Sequence, residues 1–368
     1  MKAPLLLLSA VLLSLAGCQS DPDTVGPEGP VVAPTPYTFQ GPFPATMPAP
    51  ASPADNPLTV EGVALGRHLF YEKALSVNNT VACASCHRQE LAFTDGLARA
   101  RGVNGAMSPR SSMSLTNLAW EPSLTWDGAA TELESQARIP IENPVEMHQS
   151  LGTGVARLQA TPTYPALFRK AFGSSTITEA NVLKALAQFE RTLISGNSRY
   201  DQYVRGNRTA LSSYEEEGME LFITHPNGIQ RGGNCGDCHS GDLQTKHTFS
   251  NNGLDATFTD LGLGLQTGRP TDNGKFRIPS LRNIALTAPY MHDGRFATLA
   301  EVVDHYNQHV VLNSPNIDIQ LLNTTNDPRQ RSRTLDLTVA EKAKIVAFMQ
   351  TLTDTAFVHD KRFSKPQP

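Results

Sequence analysis

Apolar residues recur at helical spacing in three stretches of the chain. In "TEANVLKALAQFERTLIS", Val182, Leu186, Phe189 and Leu193 share one face. In "TVAEKAKIVAFMQTLTD", Ile345, Phe348, Met349 and Leu352 form a similar stripe behind a Thr338/Glu341 capping box. "TLAEVVDHYNQHV" opens on a second box, Thr298/Glu301, and stripes Leu299, Val302, Val303 and Val310. Tyr306 falls at the centre of that stripe, with His305 and His309 toward its flanks. Few stretches alternate with period two. The pattern predicts a mainly α protein with long loops and at most short strands.

The ends read differently. "MKAPLLLLSAVLLSLAGC" puts one lysine before an apolar run of about a dozen residues, which suits an export signal and is too short to span a bilayer. Its "LAGC" resembles a bacterial lipobox, which implies cleavage before Cys18 and lipidation of that cysteine. From 19 to 57 proline is dense and apolar periodicity is absent, which predicts an extended linker without a packed core. The chain is therefore expected to be exported to the periplasm and to touch a membrane only through its lipid.

The five cysteines sharpen the picture. Cys18 belongs to the lipobox, and the other four fall into "CASCH" and "CGDCH". Cys-x-x-Cys-His is the attachment signature of haem c. Cys83 and Cys86, one helical turn apart, reach the two vinyl groups on one porphyrin edge, and His87 offers its imidazole to the iron. Cys235, Cys238 and His239 repeat the arrangement. One copy alone would also suit a redox dithiol or half of a zinc site; two copies favour two covalent haems c and leave no cysteine for a disulfide.

The halves look duplicated. Phe70 ends "EGVALGRHLF" and Phe222 ends "EEEGMELF", each at the same distance before its first haem cysteine. The expected boundaries are a first haem domain at 58–205, a second at 206–357 and a tail at 358–368. A net charge of −4 and a pI near 6.2 give no basic surface for nucleic acid.

With the segments "LGRHLFYEKALSVNNTVACASCH", "LTWDGAATELESQARIPIENPVEM", "CGDCH" and "FRIPSLRNIALTAPYMHDGRFATLAEVVDHYN", the chain resembles the bacterial dihaem cytochrome c peroxidases, and within them the MauG-like branch. The resemblance runs from about Asn56 to Thr355. It implies two cytochrome c-like helical domains packed face to face with a calcium ion between them. One haem would meet hydrogen peroxide, and the other would relay electrons from a small cytochrome c or copper protein.

Residue roles follow from that resemblance. Cleaving peroxide needs an open iron position and an acid–base group that carries a proton from the inner to the outer oxygen. The resemblance puts Glu146 of "NPVEM" in that role, with Gln136 and Pro140 lining the pocket. Many peroxidase relatives close this iron with a histidine from the loop after the first motif. Here "RQELAFTDGLARARGVNGAMSPR" contains none, which predicts an open first haem; Met107 remains a ligand candidate in that loop. Trp126 of "TWDG" matches the bridge between the haems, and Trp120 reads as core packing. Tyr306 stands where the family places the second haem's far ligand, a tyrosine in MauG, with His309 and Met291 as rivals. The calcium would rest on the carbonyls of Thr287 and Pro289, with Ser111 where the family has asparagine.

Three functions compete. They are a peroxidase, a MauG-like oxidase acting on a protein side chain, and a dihaem electron carrier without catalysis. No tryptophan follows Trp126, which speaks against a long-range protein oxidase. Glu146 and an open iron speak against the carrier.

Overall fold

A computed structural model describes residues 32–226, 230–322 and 335–367. The signal-like stretch, Cys18 and the first part of the proline-rich segment lie outside the described residues. The first half is built from α1 (Val60–Phe70), α2 (Leu133–Glu142), α3 (Leu151–Ala160), α4 (Thr163–Phe172) and α5 (Glu179–Arg191). The second half uses α6 (Ser213–Ile223), α7 (Leu299–Asp304) and α8 (Val339–Gln350). The strands β1 (Phe249–Ser250) and β2 (Phe276–Arg277) form one antiparallel pair of two residues each. The predicted mainly helical architecture is what folds.

Each half is organised by one helix crossing, and the two crossings match residue for residue. α1 meets α5 at Gly66, where an added Cβ would stand 2.0 Å from the Ala185 carbonyl oxygen. α6 meets α8 at Gly218, where it would stand 2.0 Å from that of Lys344. Four residues further along each helix the phenylalanines stack: Phe70 on Phe189 at 5.2 Å, and Phe222 on Phe348 at 5.1 Å. The glycines allow backbones to approach closely enough for these rings to meet. The predicted stripes are buried, with Val182, Leu186, Phe189 and Ile345 fully so. α5 ends at Arg191, so Leu193 enters the core from the turn beyond it. Both predicted capping boxes form, at Thr298/Glu301 and Thr338/Glu341.

Buried charge pairs lock the halves together. Arg282 grips Asp201 through two 2.7 Å contacts. Arg110 joins Asp127 of the first half to Asp260 of the second. The Arg277 backbone amide donates to the Trp126 carbonyl at 2.8 Å.

Two expectations about the ends need correction. The described part of the proline-rich segment is packed, not a free linker. Thr35 donates to Glu61 from its amide and its hydroxyl. Phe43 sits edge-on to Trp120 at 6.4 Å and leaves no room for a side chain at Gly196. Ala45 and Thr46 then donate to Asp201 and Asp242. The segment is a strap from the first half to the second, held by backbone amides and one aromatic anchor. Nor is 358–368 a loose tail. Phe357 and Phe363 pack on Phe93 of the first half, and the Tyr71 hydroxyl donates to the Phe363 carbonyl at 2.8 Å. The chain thus returns to its first core after α8.

Candidate haem sites

Both Cys-x-x-Cys-His motifs fold into a single tight turn that aims the histidine the same way. His87 N–H donates to the Cys83 carbonyl at 2.9 Å, and His239 N–H donates to that of Cys235 at 2.8 Å. Nδ1 of His87 then lies 2.8 Å from the Phe93 carbonyl, and Nδ1 of His239 lies 3.1 Å from that of Gln244. A carbonyl can only accept, so Nδ1 carries the proton and Nε2 keeps the lone pair a metal needs. Burial lowers the pKa of both imidazoles, His239 to about 4, and keeps them neutral.

The four motif cysteines are free thiols. Burial raises their pKa first of all, Cys86 and Cys235 to about 12 and Cys238 to about 11, which suits them poorly to act as a dithiol catalyst. No group of three or more His, Cys, Asp or Glu side chains that could hold a metal ion exists among the described residues.

In the second half a cavity of about 220 Å3 opens beside Cys235, Cys238 and His239. Its walls are mostly apolar, with Leu281, Val303 and Ile345 among them. Arg277 also lines it. Its Nη1 is buried 3.0 Å from Glu121 yet makes no hydrogen bond. An apolar slot lined by two thiols, an imidazole and a buried guanidinium paired with Glu121 fits a porphyrin and its acidic edge. Nothing in the sequence pattern singled out Arg277; its role comes from the seam it is buried in.

Tyr306 lines this cavity. α7 loosens into a π-turn over His305–His309, which carries the tyrosine inward. His309 is exposed, with Nδ1 on the Asp304 carbonyl, and no longer competes as a ligand. Met291 does line the cavity. Asn252, which sequence reasoning missed, stands between the two: its Nδ2 is 3.4 Å from the Met291 sulfur and 3.5 Å from the Tyr306 hydroxyl.

In the first half, Pro140 sits inside α2 and has no N–H for the Gln136 carbonyl one turn back. Gln136 and Pro140 are half-buried on this helix, and the Pro140 carbonyl accepts from Met147 N–H at 3.1 Å. Glu146 follows on the turn after α2. Asn143 Nδ2 donates to its Oε1 at 2.8 Å. Burial raises the pKa of its carboxyl, and its charge is felt at Cys86, which puts it beside the first motif. The loop after His87 packs directly on this segment. Val103 N–H donates to the Glu146 carbonyl at 2.7 Å, and a Cβ at Gly102 would stand 2.4 Å from the same oxygen. Met107 points outward from that loop, 53% exposed, and is not a ligand candidate in this fold.

Trp126 stands at the seam. Its indole N–H donates to the Ser111 carbonyl at 3.0 Å, and its side chain lines the second half's cavity. Trp120 is half-buried and packs on Phe43. Of the calcium candidates, Ser111, Thr287 and Pro289 all line the same cavity, and the Ser111 hydroxyl donates its proton to the Met291 carbonyl at 2.9 Å, which keeps its own lone pairs available to a cation.

Comparison with known proteins agrees with this geometry. Residues 60–209 match the sequence model of the di-haem cytochrome c peroxidase family. A methylamine utilization protein MauG of Methylorubrum extorquens is 38% identical over 304 residues, 82% of this chain and 80% of that one. The cytochrome c551 peroxidase of Nitrosomonas europaea is 31% identical over 321 residues, 86% of this chain and 87% of that one. Among solved structures, a MauG-like protein associated with microbial copper homeostasis superposes with a TM-score of 0.77 at 36% identity. It covers 89% of this chain and 99% of its own.

Proposed function

The chain belongs to the di-haem cytochrome c peroxidase and MauG family, and we propose that it reduces hydrogen peroxide to water at its first haem, with electrons that a small redox protein delivers to its second. Glu146 is the observation that carries this reading. It is a part-buried acid of raised proton affinity beside the first motif, under a loop without histidine.

One peroxide, two electrons and two protons give two waters. A haem held by Cys83, Cys86 and His87 would supply the redox centre for cleaving the O–O bond, and the redox protein would supply the two electrons. The protein supplies the proton traffic. Glu146 accepts the proton of the inner oxygen and returns it to the outer one, which then leaves as water and not as hydroxide. The Asn143 amide holds Oε1 and leaves Oε2 to face the substrate. The Phe93 carbonyl, by taking the Nδ1 proton of His87, fixes the ring and strengthens the nitrogen that faces the iron. Trp126, seated at the seam, is the electron bridge between the halves. Tyr306, on the wall of the second cavity, would bind the second haem's iron and so exclude peroxide there. Export to the periplasm and a lipid on Cys18 belong to the same proposal. Among the described residues no helix is long and apolar enough to cross a membrane.

A second reading, a MauG-like oxidase of a protein side chain, is favoured by the phenol of Tyr306 in the second cavity. Steady-state turnover separates the two. Two reduced cytochromes oxidised per peroxide consumed support the peroxidase. Peroxide consumption that leaves the cytochrome reduced while a protein partner gains oxidised residues supports the oxidase and overturns the first reading.

A further inference from the structure

Two side chains able to ligate iron reach the second cavity on the side that Tyr306 closes. They are a hard oxygen, Tyr306, and a soft sulfur, Met291, and they share one amide. The Asn252 Nδ2 lies 3.5 Å from the Tyr306 hydroxyl and 3.4 Å from the Met291 sulfur.

That amide is held rigidly. Asn251, fully enclosed next to it, donates to Ser314 and to the Pro315 carbonyl, and its Oδ1 accepts from Gly253 N–H. The Gly253 carbonyl in turn accepts from Val311 N–H at 2.8 Å. The Asn252 carbonyl accepts from Nε2 of buried His305 at 3.0 Å, which ties the loop to the π-turn carrying Tyr306. Met291 is held just as firmly. It adopts a left-handed backbone, φ 75°, which is costly for a side-chain-bearing residue. The Ser111 hydroxyl pins its carbonyl, and the Ser111 amide donates to the next carbonyl, that of His292.

We propose that Asn252 decides which of these two side chains completes the second iron, holding Tyr306 in place and leaving Met291 as the reserve ligand. An amide N–H stabilises an oxygen bearing negative charge through a charge-assisted hydrogen bond. A neutral thioether is a weak acceptor and gains far less. With the amide present the phenolate is favoured, and with it the ferric state. With the amide removed the phenolate loses its donor, and the thioether, already on the wall, takes the position and favours the ferrous state. The inference rests on Tyr306 as the native ligand.

The experiment is an absorption, near-infrared and redox comparison of Asn252→Leu, Tyr306→Phe and the double variant Asn252→Leu/Met291→Leu in the full haem-loaded chain. Asn252→Leu is expected to gain the thioether-to-iron charge-transfer band. It should also shift the ferrous-to-ferric ratio of the second haem at least tenfold toward ferrous at a fixed poise, about 59 mV for one electron. The double variant is expected to lose the band. An Asn252→Leu protein with wild-type spectrum and potential, or a band that survives Met291→Leu, overturns the inference. If Tyr306→Phe leaves the second haem unchanged, the ligand reading itself fails. If Tyr306→Phe changes it and Asn252→Leu does not, only the selection by Asn252 fails.

Discussion

The two haem turns of this chain hold their histidines alike and differ in what faces them. His87 and His239 are each fixed by a hydrogen bond from the backbone N–H to the carbonyl of the first motif cysteine and by a second carbonyl on Nδ1. The cavity beside His239 is also lined by Tyr306 and Met291, both in contact with the Asn252 amide. Beside the first turn the chain provides Glu146, an acid that no metal position requires, and a loop whose one candidate ligand, Met107, points to solvent. Duplication supplied two equal cradles. On the proposed reading, the few residues that differ around them make one an open reaction site and the other a closed relay.

That contrast can be broken in order of expected effect. Glu146→Gln removes the proton carrier from the first site and nothing from the second. It should keep both haems and slow the peroxide step on the order of a hundredfold or more in stopped-flow kinetics, as for loss of a general acid–base group. The pH profile should change with it. Glu146 must be unprotonated to accept the first proton, and burial raises its pKa. The wild-type rate should therefore climb with pH through a range above that of ordinary carboxylates, and the variant should lack that limb.

The shared framework should respond equally in both halves. Gly66→Ala and Gly218→Ala each drive a methyl into a backbone carbonyl at the helix crossing. Each should cost about 1–3 kcal/mol by denaturant melting, as overpacking does. A large cost at one crossing and none at the other would mean the crossings are not equivalent.

A smaller difference lies one residue past each core phenylalanine. The second half has Met349 there, and the first has Glu190, whose Oε2 is buried without a partner. Burial pushes its carboxyl up to about 8. An acid that binds its proton more tightly folded than unfolded costs nothing at low pH. The penalty starts above the unfolded pKa of about 4.3 and is complete above about 8. Glu190→Gln should therefore flatten the loss of stability as pH rises through that window, with little effect below it.

Much of this was legible in the sequence because it rests on local rules. The motifs, the helical stripes and the capping boxes are each written within a few neighbouring residues. The equal spacing of Phe70 and Phe222 already disclosed the duplication that Gly66 and Gly218 complete. What escaped was non-local. The strap at 32–57 has no apolar period, since it is held by amides and by Phe43 on Trp120. The end of the chain is anchored on a distant core by Phe357, Phe363 and hydrogen bonds to its backbone carbonyls. Asn252 and Arg277 carry no motif, and loops that meet only after folding set their roles. The hydrogen bond from the Ser111 hydroxyl to the Met291 carbonyl, which joins two distant segments, is equally absent from any local pattern.

Electron paramagnetic resonance of the ferric, as-isolated protein tests the open first haem and closed second haem most directly, with peroxide added before any reductant. The account predicts one high-spin and one low-spin haem per chain, with the high-spin signal lost on adding peroxide and no lag. Two low-spin signals, with a lag that pre-reduction abolishes, would contradict it, because a ligand would then have to leave the first iron before peroxide could bind.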